Sequence, residues 1–202
     1  MRLYDLGGDG SEQVSDRILT VPNLLSLARL LILPFVYVEL ASGRLARGLL
    51  VGMVFGATDW LDGYVARRYD QVTRLGQLLD PLSDRLFIMT IAVALVVSGL
   101  LPWWLVAAVV VRDVALLVAG TVMLRRGARP PAVTRLGKTA TFGLMWAFVP
   151  LIASGIIGTA EDPQPVLWWI GFLMLLASVV LYWATAVDYG RQLRAARGAA
   201  DD

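Results

Sequence analysis

The 202-residue sequence predicts an all-α integral membrane protein with six transmembrane helices, and three observations point to that fold class. More than half of the residues, 57%, are hydrophobic, and they fall into six apolar stretches at about 23–41, 45–67, 75–100, 103–124, 136–157 and 166–189. Each is roughly 20 residues long, enough for a helix to cross a hydrocarbon core of about 30 Å. Lysine and arginine concentrate in alternate connections, and Trp103, Trp104, Trp168 and Trp169 stand at the starts of two stretches, where indoles favour the headgroup zone.

The elements follow in order. Residues 1–22 form a polar N-terminal segment without a basic n-region or a small-residue cleavage site, so no removable signal peptide is expected. Within it, 15–22 reads as a short interfacial helix or as a plain lead-in, with Asn23 placed to cap the first span. Residues 23–190 make one six-helix membrane domain, and 191–202 a tail that is basic and then acidic. Breakers at Gly127, Pro130, Pro131, Pro163 and Pro165 punctuate the later connections.

Orientation follows from the short loops. Arg67, Arg68 and Arg74 precede the third span, Arg125, Arg126, Arg129, Arg135 and Lys138 surround the start of the fifth, and Arg191, Arg194 and Arg197 follow the sixth. All three regions are expected on the cytoplasmic side of the cell membrane, with both termini. Arg44 and Arg47, in the first hairpin, run against this pattern.

The chain has neither cysteine nor histidine. Disulfide, thiolate and imidazole chemistry are excluded, and acid-base work falls to carboxylates, Lys138, tyrosines or metal-bound water. A metal site would be built from oxygen donors, which suits magnesium or manganese better than zinc. No nucleic-acid partner is expected.

Four carboxylates interrupt the second and third spans: Asp59, Asp62, Asp80 and Asp84. Each ionised side chain at bilayer depth costs about 2.5–3.5 kcal/mol, so a cluster demands compensating charge and marks a functional site. Helical spacing puts Asp59 and Asp62, three apart, on one face, and Asp80 and Asp84, four apart, on another. The short connection makes the two spans antiparallel neighbours, so both pairs can address one volume. One or two divalent cations would relieve the repulsion. Gly63, Ala66 and Gly76 leave room beside the acids, and Arg67 and Thr73 supply donors, a combination suited to a pyrophosphate. Each small residue taken alone would equally serve close helix packing.

Read as D-W-L-D-G-Y-V-A-R, eight residues, and G-Q-L-L-D-P-L-S-D, the stretch 59–84 resembles the signature of the CDP-alcohol phosphotransferase family at every defined position. The resemblance implies six transmembrane helices, a homodimer, and transfer of a substituted phosphate from a CDP-linked donor to an alcohol with release of CMP. It implies a metal site at Asp59, Asp62, Asp80 and Asp84, with Asp84 also the base for the acceptor hydroxyl. Gly63, Arg67 and Thr73 match positions contacting the CDP group, Ala66 and Gly76 match positions needing clearance, and Asn23 to Ser26 resembles the first-helix segment near the nucleotide.

For the acceptor, Arg112, Arg135 and Lys138 are cations suited to an anionic headgroup. A structural ion pair of Arg112 with Asp113 is an equal reading of that site. The stretches V-R-D-V-A-L-L at 111–117 and L-Y-W-A-T-A-V-D-Y-G-R at 181–191 resemble the cardiolipin synthase branch, which joins CDP-diacylglycerol to phosphatidylglycerol. The phosphatidylglycerophosphate synthase branch, with glycerol 3-phosphate as acceptor, is the second reading. A cation or proton transporter, which also places acids within the membrane, is a remote third.

Overall fold

The computed structural model describes residues 20–68, 74–125 and 135–201, all in helices or their connections. Six helices follow one another: α1 (Val21–Ala41), α2 (Leu45–Arg68), α3 (Arg74–Val97), α4 (Trp103–Arg125), α5 (Arg135–Ile157) and α6 (Pro165–Asp201). The described residues form an all-helical structure, as expected. Among the described residues, three stretches are long and apolar enough to cross a membrane, Trp103–Val122, Leu136–Ile157 and Pro165–Val187, and Leu45–Gly56 forms a shorter apolar segment.

The start of α1 differs from the sequence reading. The Leu24 amide donates to the Thr20 carbonyl at 3.0 Å, so the helix is under way before Asn23, which lies in its first turn and does not cap it. Thr20 precedes Val21 and Pro22, and a proline in the first turn loses no hydrogen bond, so the helix can begin on its N-terminal side. Residues 15–19 of the expected interfacial helix lie outside the described residues. At the other end, α6 runs on to Asp201, well beyond the apolar stretch and through the expected tail. Arg, Gln, Leu and Ala in that extension are strong helix formers.

Two compact units divide the chain, one within Met1–Leu33 and Gly52–Phe87, the other within Pro34–Val51 and Ile88–Asp202. In the second, α5 packs along α6. Ala140, Leu144, Ala147 and Leu151 recur at intervals of four, three and four, and are buried, as are Leu175 and Tyr182 of α6. Gly171 permits the approach: a Cβ there would lie 2.6 Å from Leu151 Cγ and 3.0 Å from the Ala147 carbonyl oxygen. Small residues at such crossings let backbones draw together where water-driven collapse is weak.

Turns end the helices by local chemistry. Gly43, at φ 76°, closes α1 while its amide donates to the Leu40 carbonyl and that of Arg44 to the Glu39 carbonyl, a Schellman arrangement. Gly99, at φ 83°, ends α3 before the expected boundary at 100. Gln164 caps α6, its side-chain oxygen accepting from the Leu167 amide at 2.7 Å, with Pro165 as the first helical residue. The Trp168 indole donates to the Leu100 carbonyl at 2.9 Å and stacks on Phe172, tying the α3–α4 turn to α6.

Large apolar side chains such as Leu31, Trp103, Leu117 and Ile157 are exposed, whereas Ser26, Arg29, Ser83 and Arg112 are buried. Extensive exposed apolar surface with polar groups turned inward fits a protein solvated by lipid.

Candidate active site

The first unit carries the acid signature. Asp59, Asp62, Gly63, Ala66 and Arg67 lie in the C-terminal half of α2, and Gly76, Asp80 and Asp84 in the first turns of α3. Both helices are uninterrupted there, so the separations of three and four residues are helical separations and each acid pair shares a helix face. Except for Asp84, the side chains of these residues lie outside the described residues, as does that of Asn23, and Thr73 falls in the undescribed connection 69–73. α2 and α3 approach at Gly52, where a Cβ would stand 3.7 Å from the Phe87 ring.

Asp84 is the acid whose surroundings are described. Its side chain is 53% exposed, and one carboxylate oxygen lies 3.9 Å from Nη1 of Arg29, whose side chain is only 3% exposed. That separation is too long for a direct hydrogen bond but close enough for a charge contact. Arg29 belongs to α1 and is three residues beyond Ser26, so the two share a face; both are buried. Sequence reading assigned Arg29 no role. The available signal was a cation in the middle of an apolar span, which is expensive there unless an acid balances it. Beside Asp84, Ser83 is fully buried, and its hydroxyl has no hydrogen-bond partner among the described residues.

The acceptor candidates belong to the second unit. Arg112 of α4 is buried, and each guanidinium nitrogen has a protein acceptor. Nε donates to the Tyr182 carbonyl at 3.2 Å, Nη1 to Asp113 at 3.1 Å, and Nη2 to the Thr185 hydroxyl at 2.7 Å. The Tyr182 hydroxyl donates to the same Asp113 oxygen at 2.6 Å, and the guanidinium carbon sits 3.6 Å above the Tyr182 ring centroid. Two stretches singled out in the sequence, 111–117 and 181–191, are therefore bonded to each other. Lys138, in the first turn of α5, is exposed; Arg135 opens that helix, its side chain outside the described residues.

Oxygen donors at helical spacing, with a half-exposed carboxylate at Asp84, fit a hard divalent cation. Among the described residues no three acids come together, because Asp59, Asp62 and Asp80 are not among those whose side chains are described.

Residues 19–189 match the sequence profile of CDP-alcohol phosphatidyltransferases, a span that includes the acid signature and all six apolar stretches. The chain belongs to the CDP-alcohol phosphatidyltransferase family. Among its relatives within that family, a protein of Streptomyces coelicolor named cardiolipin synthase (CMP-forming) is 40% identical over 188 residues, 89% of this chain and 85% of the relative. A protein of Mycobacterium bovis named putative cardiolipin synthase is 44% identical over 140 residues, 68% of this chain and 66% of its own length. More distant is a CDP-diacylglycerol--glycerol-3-phosphate 3-phosphatidyltransferase of Pectobacterium atrosepticum, 30% identical over 172 residues, 81% of this chain and 90% of the relative. As a CDP-alcohol phosphatidyltransferase, the chain is a membrane-embedded transferase acting on a CDP-linked alcohol and an alcohol acceptor.

Proposed function

We propose that this protein is a CMP-forming cardiolipin synthase, transferring the phosphatidyl group of CDP-diacylglycerol to the free hydroxyl of phosphatidylglycerol. The observation that carries the reading is the half-exposed Asp84 carboxylate held beside buried Arg29, on the helix that also bears Asp80 and next to the helix bearing Asp59 and Asp62. The higher identity to relatives named cardiolipin synthase favours phosphatidylglycerol as acceptor over glycerol 3-phosphate.

Helix geometry supports a common site. The connection 69–73 is too short for anything but antiparallel neighbours. Counting from the Gly52–Phe87 approach, Asp59 lies seven residues onward and Asp80 seven residues back, about 10 Å along each axis at 1.5 Å per residue. In this reading that register brings the two acids level.

The chemistry assigned to the chain's own residues is a direct displacement. Asp84 accepts the proton of the acceptor hydroxyl as its oxygen bonds to the phosphatidyl phosphorus; the bond from phosphorus to the CMP oxygen breaks, and CMP leaves. Arg29 places positive charge 3.9 Å from the Asp84 carboxylate. Gly63, Ala66 and Gly76 give the pyrophosphate room, while Asn23, Ser26, Arg67 and Thr73 orient the CDP group. Asp59, Asp62, Asp80 and Asp84 would hold magnesium or manganese, which when bound neutralises pyrophosphate charge. Arg135 and Lys138 attract the acceptor's phosphodiester. Arg112 acts on the acceptor side indirectly, by holding α4 against α6.

All six helices span the cell membrane in this reading, with both termini and the site cytoplasmic and the enzyme a homodimer. Purified protein supplied with labelled CDP-diacylglycerol should release CMP and form cardiolipin with phosphatidylglycerol as acceptor. Exclusive use of glycerol 3-phosphate would overturn the assignment.

A further inference from the structure

In the second unit, the turn between α1 and α2 borders an open cavity of about 370 Å³, lined by residues 43–47 together with Gly155 and Ile156 of α5. That volume falls in the range of small-ligand sites, roughly 300–1,000 Å³. Gly155 sets its shape. A Cβ there would meet Leu45 Cδ1 at 2.5 Å and Leu100 Cδ1 at 3.0 Å, so glycine lets α5 close on the start of α2.

The charge of this cavity is unbalanced. Arg44 gives its Nε to buried Glu39 at 2.9 Å, which accounts for one of the two arginines that run against the loop charge pattern. Nη1 and Nη2 of Arg44 stay outside that bond. Arg47 is exposed and has no ion pair among the described residues. Two guanidiniums against one carboxylate leave net positive charge beside the exposed apolar side chains of Ala46 and Ile156. The cavity also sits where α1 ends, α2 begins and α5 ends, the depth at which apolar spans give way to headgroups.

We propose that this groove binds an anionic phospholipid, its phosphate on Arg44 and Arg47 and the upper part of an acyl chain along Ala46 and Ile156. Charge complementarity selects an anion, and the apolar side chains at helix-end depth select one carrying acyl chains over a free phosphate ester. No residue of the groove belongs to the acid signature, so the inference extends beyond the proposed reaction and does not depend on it.

The test uses full-length protein in phosphatidylcholine nanodiscs with a phosphatidic acid analogue carrying a diazirine near the glycerol backbone, cross-linked sites being mapped by peptide mass spectrometry. Phosphatidic acid offers no acceptor alcohol, and the readout is local. Label is expected on residues 43–47 or 155–156, competed by unlabelled phosphatidic acid and not by phosphatidylcholine or glycerol 3-phosphate. Arg47→Gln should lower it about fivefold, the factor expected for one cation at an anionic surface, while Arg47→Lys retains it. Equal labelling by a phosphatidylcholine analogue, a result needing no variant, would overturn the proposal. So would competition by glycerol 3-phosphate, cross-linking of these residues to a second copy of the chain, or unchanged labelling in a folded Arg47→Gln protein.

Discussion

Arg29 and Asp84 are 55 residues apart in the chain and 3.9 Å apart in space, and the contact changes what each side chain can do. The buried Arg29 guanidinium places positive charge beside the Asp84 carboxylate, and the carboxylate balances part of that charge. Asp84→Asn removes the proposed proton acceptor and should lower initial rates of CMP release by about 10²–10⁴-fold, the usual range for loss of general-base catalysis, in protein that still elutes as a folded species. Arg29→Gln should also slow the reaction, with Arg29→Lys recovering part of the rate because charge is kept. Rates near wild type in Asp84→Asn would remove that residue from its assigned place. The aspartates could be singled out from local spacing alone. Arg29 was legible only as an unexplained cation, because nothing within α1 reveals an acid on α3.

Among the helices, packing of α5 on α6 depends on positions with no side chain at all. At Gly171 a methyl group would press on the Leu151 amide nitrogen at 2.9 Å and on the Ala147 carbonyl, backbone atoms that cannot swing aside. Gly171→Ala should therefore destabilise the protein by about 1–3 kcal/mol, the usual cost of overpacking, read as a lower thermal unfolding midpoint by tryptophan fluorescence. Gly56→Ala, with open space around it, should be neutral or slightly stabilising. Equal effects at both positions would mean that close approach at Gly171 is not what holds the pair. Helix boundaries were legible where composition changes abruptly, as at Leu45 and Trp103. They shifted where capping chemistry decides: Thr20 moves the start of α1 forward, and Gly99 stops α3 early.

At the level of the whole molecule, a chain without histidine or cysteine leaves acid-base work to carboxylates, Lys138, tyrosines or metal-bound water. Chelation by EDTA should bring CMP release to background, and added magnesium or manganese should restore it. Activity that survives chelation would exclude the metal from the reaction.

By itself the sequence determined that the protein is helical and membrane-embedded, and that its acids fall at helical spacing on α2 and α3. Those properties follow from local periodicity and from the need to satisfy every backbone group within a segment crossing lipid. Only the tertiary structure decided that Arg29 meets Asp84, that Arg112 and Asp113 join Tyr182 across α4 and α6, and that Glu39 takes one of the two hairpin arginines while the other borders an open groove. The first and second of these join different helices, and all three depend on how side chains pack, which helical periodicity within a single segment does not specify.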